Sequence, residues 1–525
     1  MNPGITNFKR LGDQQGSARQ WATYFIQLKT AWFTATFLLL TLLAPGQQQA
    51  LIGQQSSAIL PGGQSPRTRQ LNEPGQPTGP KQLIGQGQHT RPQQPTSPEQ
   101  QALTSQQPIP ARSETLTALP ILPGAAQMDQ YLPLLKGRSV AVFANQGSVI
   151  GNTHLVDTLL KRGVNVKKIF SPEHGFRGDA DAGEHVTSLA DPRTGIPIIS
   201  LYGSKDRPTA NDLQDVDIMI FDIQDVGVRF YTYISSLQKY IESARDNHRT
   251  LLLLDRPNPN GHYVDGPVLD PAFKSFVGMQ PVPIVYGMTV GEYARMLVGE
   301  KWLDPTKADG KGDTSTTGNT HRNATATSGN GSPTAKSTSP ATNNPGFHLI
   351  VIPCVNYTHK SKYILPIKPS PNLPNMQSIY LYPSLCLFEG TAISLGRGTD
   401  RPFQQFGSPS FPKDSYHFTP LSVEGAKNPP LLNQVCYGYD LSEIDVQKTT
   451  GNQLSLKWLI DAYRLFPDKD HFFLNTGAFF NKLAGNATLQ QQLKEGRTEE
   501  EIRRSWEPAL TQFKTIRKKY LLYAD

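Results

Sequence analysis

Four polar segments hold most of the residues that could do chemistry. SPEHGFRG (residues 171–178) sets Glu173 beside His174. A carboxyl partly desolvated at the end of a buried strand has a raised pKa suited to general acid work, and the flanking glycines let backbone approach a ligand. The plainer alternative is an ordinary loop acid or helix cap. DIQDVGVRFYTY (222–233) gathers Asp222, Asp225, Arg229, Tyr231 and Tyr233. These charges could line a cleft, with the tyrosines stacking on a sugar, or they could form a fixed structural ion network. DRPNPNG (255–261) offers Asp255 and Arg256 as a pair and Asn258 as a donor, or simply a rigid turn. FEGTAISLGRGTDRPF (388–403) joins Glu389, Arg397, Asp400 and Arg401 to three glycines. That composition suits recognition of an anion such as a ligand carboxylate, or else surface ion pairs in a β-turn region.

These segments need elements to position them. Apolar runs at 139–145, 164–170, 197–202, 217–222 and 250–255 read as buried strands, and each ends in a polar, Gly/Pro-rich loop. Helical spacing at 153–161 and 234–244 separates some of them. Strands alternating with helices predict an α/β domain, Rossmann-like with a mostly parallel sheet. Ligands then sit beyond the carboxyl ends of the strands, where these loops fall. A further strand is expected at 347–353, in a smaller mixed α/β part that completes the cleft.

Composition divides the chain. It has 525 residues, 37% of them apolar, with 44 Gly and 43 Pro, too few apolar residues and too many breakers for a uniformly packed protein. Residues 46–118, rich in Gln, Pro and Gly, read as a flexible spacer, and 306–345 as a low-complexity linker or insertion. The expected packed parts are 119–305 and 346–525. The net charge of +8 lies mostly in the tracts, and the packed region has no basic stripe, so a nucleic-acid partner is not expected. An apolar run at 31–44 follows Arg10, Arg19 and Lys29. It resembles an export signal or a short membrane anchor, and places the protein in the periplasm or outside the cell. Cys354, Cys386 and Cys436 allow one bridge or three buried thiols. No metal-ligand spacing and no nucleophile elbow occur, and no cofactor is implied.

Long motifs in one order carry a resemblance. FANQG (143–147), SPEHGFRGDADAGE (171–184), SLYG (200–203), FDIQDVGVRFYTYISSL (221–237), LDRPNPNG (254–261), GMTVGEYA (287–294) and YPSLCLFEGTAISLGRGTDRPF (382–403) resemble the bacterial YbbC-like family, formerly a domain of unknown function. That family is associated with exo-β-N-acetylmuramidases, which release N-acetylmuramic acid (MurNAc) from non-reducing ends of peptidoglycan fragments. The resemblance spans roughly 120–304 and 346–525.

It implies a Rossmann-like domain carrying most of the pocket, and peptidoglycan fragments with terminal MurNAc as substrate. It also implies an essential glutamate at Glu173, acting as general acid. Asp225 or Glu184 would serve as base or nucleophile, or the substrate's own N-acetyl group would attack, oriented by Asp222 or Asp225. Arg229, Arg256 or Arg397 would pair with the lactyl carboxylate. His174 is counted with the catalytic residues, while Asn145, Arg177 and the remaining motif residues would shape the pocket. One departure is visible: Tyr286 stands where the family's RHGMT motif has histidine. The competing reading is a non-catalytic wall-binding protein on the same fold. A nucleotide enzyme is disfavoured, because the first strand leads into NQGSVIGN rather than GxGxxG.

Overall fold

Ser139–Ala144 shows why the sheet forms where it does. Its alternate residues serve two cores: Val140, Val142 and Ala144 face one, Ala141 and Phe143 the other. A strand buried on both faces must be apolar throughout, which is why these strands read as unbroken runs. The computed structural model describes residues 119–173, 175–176, 189–305 and 347–525. His174, Arg177 and Glu184 lie outside the described residues, as do the apolar run at 31–44 and both low-complexity tracts.

The strands in chain order are β1 (Ser139–Ala144), β2 (Val149–Ile150), β3 (Thr153–His154), β4 (Asn165–Ser171), β5 (Leu189–Ala190), β6 (Pro197–Ser200), β7 (Ile218–Asp222), β8 (Thr250–Leu254), β9 (Leu349–Ile352), β10 (Gln405–Ser408), β11 (Tyr416–Phe418) and β12 (Cys436–Asp440). Among the described residues, seven form one sheet in the order β5-β6-β4-β1-β7-β8-β9. Six run parallel, and β5 pairs antiparallel at the edge. The parallel strands follow the doubly wound Rossmann order, so the switch point falls between β1 and β7. The strand beyond the 306–345 tract, β9, joins β8 of this sheet. The tract therefore interrupts the sheet-bearing part rather than following it. The start of the second part expected at 346 moves past β9, because β8 needs a partner for its outer edge.

Helices α1 (Met128–Leu135) and α2 (Leu155–Lys161) cover one face, and α3 (Tyr233–Asp246) and α4 (Val290–Gly299) the other. Helix α2 starts two residues later than the expected 153. Thr153–His154 instead pairs with β2, and the His154 ring accepts the Val156 amide as the helix cap. Helix α4 opens with a capping box between Thr289 and Glu292.

The carboxyl-terminal part adds α5 (Met376–Leu385), α6 (Val446–Thr450), α7 (Lys457–Leu465), α8 (Ala478–Ala484), α9 (Thr488–Lys494) and α10 (Glu499–Arg517) around the antiparallel sheet β10-β12-β11. Phe388, Phe406, Trp458 and Phe480 of this part share one apolar core with Phe143 and Phe221 of the large sheet. All three cysteines are free and buried, so no bridge forms among them. No described helix is long and apolar enough to cross a membrane.

Candidate active site

The switch point is tied together by its own side chains. Asn145, just past β1, accepts the Gly147 amide on Oδ1 and donates from Nδ2 to the Tyr233 hydroxyl, both at 3.0 Å. Tyr233 is the first residue of α3, so the bond couples the end of β1 to the helix after β7. Next to it, Asp222 at the end of β7 forms a fully buried ion pair with Arg256, at 2.6 and 2.8 Å. Burial opposes the Arg256 charge, but Asp222 outweighs it and holds the guanidinium protonated. Arg256 also donates to the Val149 carbonyl. The pair ties the end of β7 to the loop after β8.

Tyr233 borders a cavity of about 280 Å³, at the small end for ligand pockets and suited to one sugar ring rather than a chain. Glu173, Tyr202, Tyr231 and Tyr233 reach it from the amino-terminal loops, and Asn372, Tyr382, Glu389, Arg397 and Phe403 from the second part. Glu173 stands two residues past β4 and is half-buried. The Thr232 hydroxyl donates to it at 3.3 Å. Burial, then the charge of Glu173 and a hydrogen bond to it, push the Tyr202 phenol up. Burial does the same to Tyr233, with Glu173 adding to it. Both therefore stay neutral donors beside the carboxyl group. Tyr231 anchors its hydroxyl on the Pro369 carbonyl at 2.9 Å, and its ring meets those of Tyr233 and Tyr382 edge-on. A larger open groove of about 620 Å³ runs along residues 487–504, but no strand-end loop contributes to it.

The structure thus brings Glu173, Tyr231, Tyr233, Glu389 and Arg397 into one cavity, with Asn145 behind Tyr233. Of the other described candidates, all but the exposed Asp400 serve the scaffold. Arg229 is fully buried and gives its donors to the carbonyls of Pro267, Val282 and Leu483 at 2.7–2.8 Å, which fastens the loop after β7 to α8. Burial without a counter-ion pushes it down to about 9. Asp225 is buried away from the lining, where it accepts the Gly227 amide at 2.6 Å and the Tyr286 hydroxyl. Burial pushes it up to about 7. Tyr286, the departure from the family motif, therefore supports a loop from behind and does not line the cavity. Asp255 binds the start of α4 through Thr289 Oγ1 (2.7 Å) and the Gly291 amide (2.8 Å), and accepts the Tyr523 hydroxyl at 2.6 Å. Asn258 bridges the Met288 carbonyl and the Asn260 amide, and Asp400 is exposed.

Several lining residues escaped the sequence reading. Tyr202 and Tyr382 lie inside the quoted motifs SLYG and YPSLC, yet nothing local marks them as ligand-facing. Ser370 and Asn372 come from SPNLPN, a Pro/Asn-rich loop of the same kind as DRPNPNG.

A doubly wound sheet with a carboxyl group and tyrosines in a small cavity beyond its strand ends, closed over by a second part, is the arrangement of an α/β enzyme acting on a small ligand. Family models for the exo-beta-N-acetylmuramidase NamZ match the chain with their N-terminal part at residues 140–377 and their C-terminal part at 380–523. The chain belongs to this family and is a glycoside hydrolase. It is 35% identical over 416 residues to the peptidoglycan beta-N-acetylmuramidase NamZ of Bacillus subtilis, covering 75% of this chain and 89% of that protein. A crystal structure of a DUF1343 family protein from Bacteroides fragilis superposes with a TM-score of 0.65 at 43% identity, over 78% of this chain and all of that one. A second from the same organism gives 0.61 at 25% identity, over 77% and 99%.

Proposed function

We propose that the protein removes single MurNAc residues from the non-reducing ends of peptidoglycan-derived MurNAc–GlcNAc fragments, with Glu173 as general acid. The observation that carries this reading is the placement of Glu173 past β4, in a one-sugar cavity at the switch point, with Thr232 and Tyr202 fixing its carboxyl group. Glu173 protonates the glycosidic oxygen as GlcNAc leaves. A cavity of this size favours cleavage from a chain end.

The second role goes to the substrate's own acetamido carbonyl, which attacks the anomeric carbon. Asp225 supports this assignment by its absence from the lining. Glu389, the other described carboxylate of the cavity, supports it too, since one of its oxygens takes both Nε and Nη2 of Arg397. Water then opens the cyclic intermediate with net retention of configuration.

The test is hydrolysis of a MurNAc–GlcNAc disaccharide followed by proton NMR. Free MurNAc should appear first as the β anomer, and Glu173→Gln should lower kcat by about 100- to 10,000-fold. Inversion at the anomeric carbon sinks the acetamido assignment, and near-full activity of Glu173→Gln sinks the acid assignment. The basic flank and apolar run at 31–44 support export to the compartment that holds such fragments, which cell fractionation checks.

A further inference from the structure

The cavity has one cationic side chain among its described lining residues, Arg397. Arg229, Arg256 and Arg401, the other described arginines of the motifs, are committed to the scaffold. Arg397 directs Nε and Nη2 at a single oxygen of Glu389, at 2.9 Å for Nε. Its Nη1 donates to nothing among the described residues. Burial opposes its charge, but Glu389 outweighs that and keeps it protonated.

The chain around it is shaped to hold this one group. Gly396 and Gly398 flank it with φ of 74° and 81°. A Cβ on Gly398 would lie 2.3 Å from the Leu421 carbonyl oxygen. Phe403 adopts φ 56°, strained for an aromatic residue, and its ring backs the guanidinium at 4.9 Å. Glu389, Arg397 and the Phe479 ring also line an adjoining apolar chamber of about 230 Å³, walled by Ile393, Leu395 and Leu474. Among the described residues no other cation lines that chamber, so a ligand reaching either side meets the same guanidinium.

We propose that Arg397 is the carboxylate receptor of the cavity. It takes the lactyl carboxylate of the bound sugar on Nη1 and the remaining Nη2 hydrogen, while Glu389 is a positioning residue that fixes the opposite edge of the fork. The inference rests on the MurNAc reading above and deepens it. GlcNAc, which lacks the lactyl arm, leaves these donors unpaired in a partly buried wall, and a site built around such donors disfavours a ligand that cannot use them.

Titration calorimetry tests this with free MurNAc, its carboxyl methyl ester and GlcNAc, against the wild type, Arg397→Ala and Arg397→Lys. The wild type should prefer MurNAc over the other two by about 10- to 100-fold. Arg397→Ala should bind all three alike, and Arg397→Lys should recover part of the preference. Equal binding of the three sugars by the wild type, or a preference that survives Arg397→Ala, overturns the proposal. Should Arg397→Ala fail to fold, the methyl ester on the wild type and the lysine variant still decide it. The two readings fail separately. A protein with this preference that releases no MurNAc from the disaccharide refutes the muramidase reading and supports the receptor. One that cleaves the disaccharide and its methyl ester equally well refutes the receptor and supports the muramidase.

Discussion

Asn145 donates to the Tyr233 hydroxyl at 3.0 Å across 88 residues of chain. This bond joins the end of β1 to the helix that follows β7, and it fixes a ring that walls the cavity. Asn145→Ala leaves that buried hydroxyl without its donor and frees the Gly147 amide. Such a loss costs about 1–3 kcal/mol. Urea denaturation is expected to show that drop, together with a lower kcat. A variant of unchanged stability and rate would separate Asn145 from the site.

The Asp222–Arg256 pair predicts a larger effect. Both side chains are essentially inaccessible to solvent. Removing one partner strands a buried charge, at about 3–5 kcal/mol. Arg256→Met and Asp222→Leu should each destabilise by that order, and the double variant by less than the sum of the two. Additive losses in equilibrium denaturation would mean that the two groups act independently.

Much of the fold was legible and less of the site, for one physical reason. β1, β7 and β8 announce themselves because burial on both faces demands unbroken apolar runs, and the loops after them are equally plain. The sequence cannot tell which loop charges turn inward. Arg229 faces three carbonyls, at Pro267, Val282 and Leu483, and a backbone carbonyl leaves no mark in residue type. It reads like Arg397, which faces the cavity. β9 was visible as a strand, but its membership of the first sheet depends on the open edge of β8, which only pairing reveals.

Two buried carboxyl groups give a pH dependence of stability. Burial raises Asp225 to about 7 and Asp255 to about 6, against about 4 in an unfolded chain. The folded state thus binds these protons more tightly. For these groups stability is greatest below pH 4, falls as pH rises toward 6 and 7, and is level above that. In Asp225→Asn the side-chain carbonyl can accept from both Gly227 and Tyr286, since both bonds go to Oδ2, and the amide falls where Oδ1 has no partner. This variant should flatten part of the fall between pH 4 and 7, melt higher than the wild type at pH 8, and still hydrolyse substrate. A lower Tm at pH 8 contradicts the sign.

Gly390 follows Glu389 where the turn Cys386–Gly390 packs on α8. A Cβ there would lie 2.5–2.6 Å from the backbone of Phe480, so α8 would have to shift. Gly390→Ala is expected to destabilise by about 1–3 kcal/mol and to slow hydrolysis, because Glu389 moves with it. Thermal melts and steady-state rates check both, and a wild-type melting curve contradicts the packing argument.

The Tyr523 hydroxyl on Asp255 has a consequence for how the protein comes into being. Asp255 ends β8 and is wholly buried, yet one of its donors is encoded 268 residues later. The outer partner of β8, at Leu349–Ile352, also follows a long stretch of chain. During synthesis the amino-terminal half therefore leaves the ribosome with an open strand edge and an unsealed carboxyl group. Such contacts close late: the sheet is completed only once Leu349–Ile352 has emerged, and Asp255 is sealed only when Tyr523 follows.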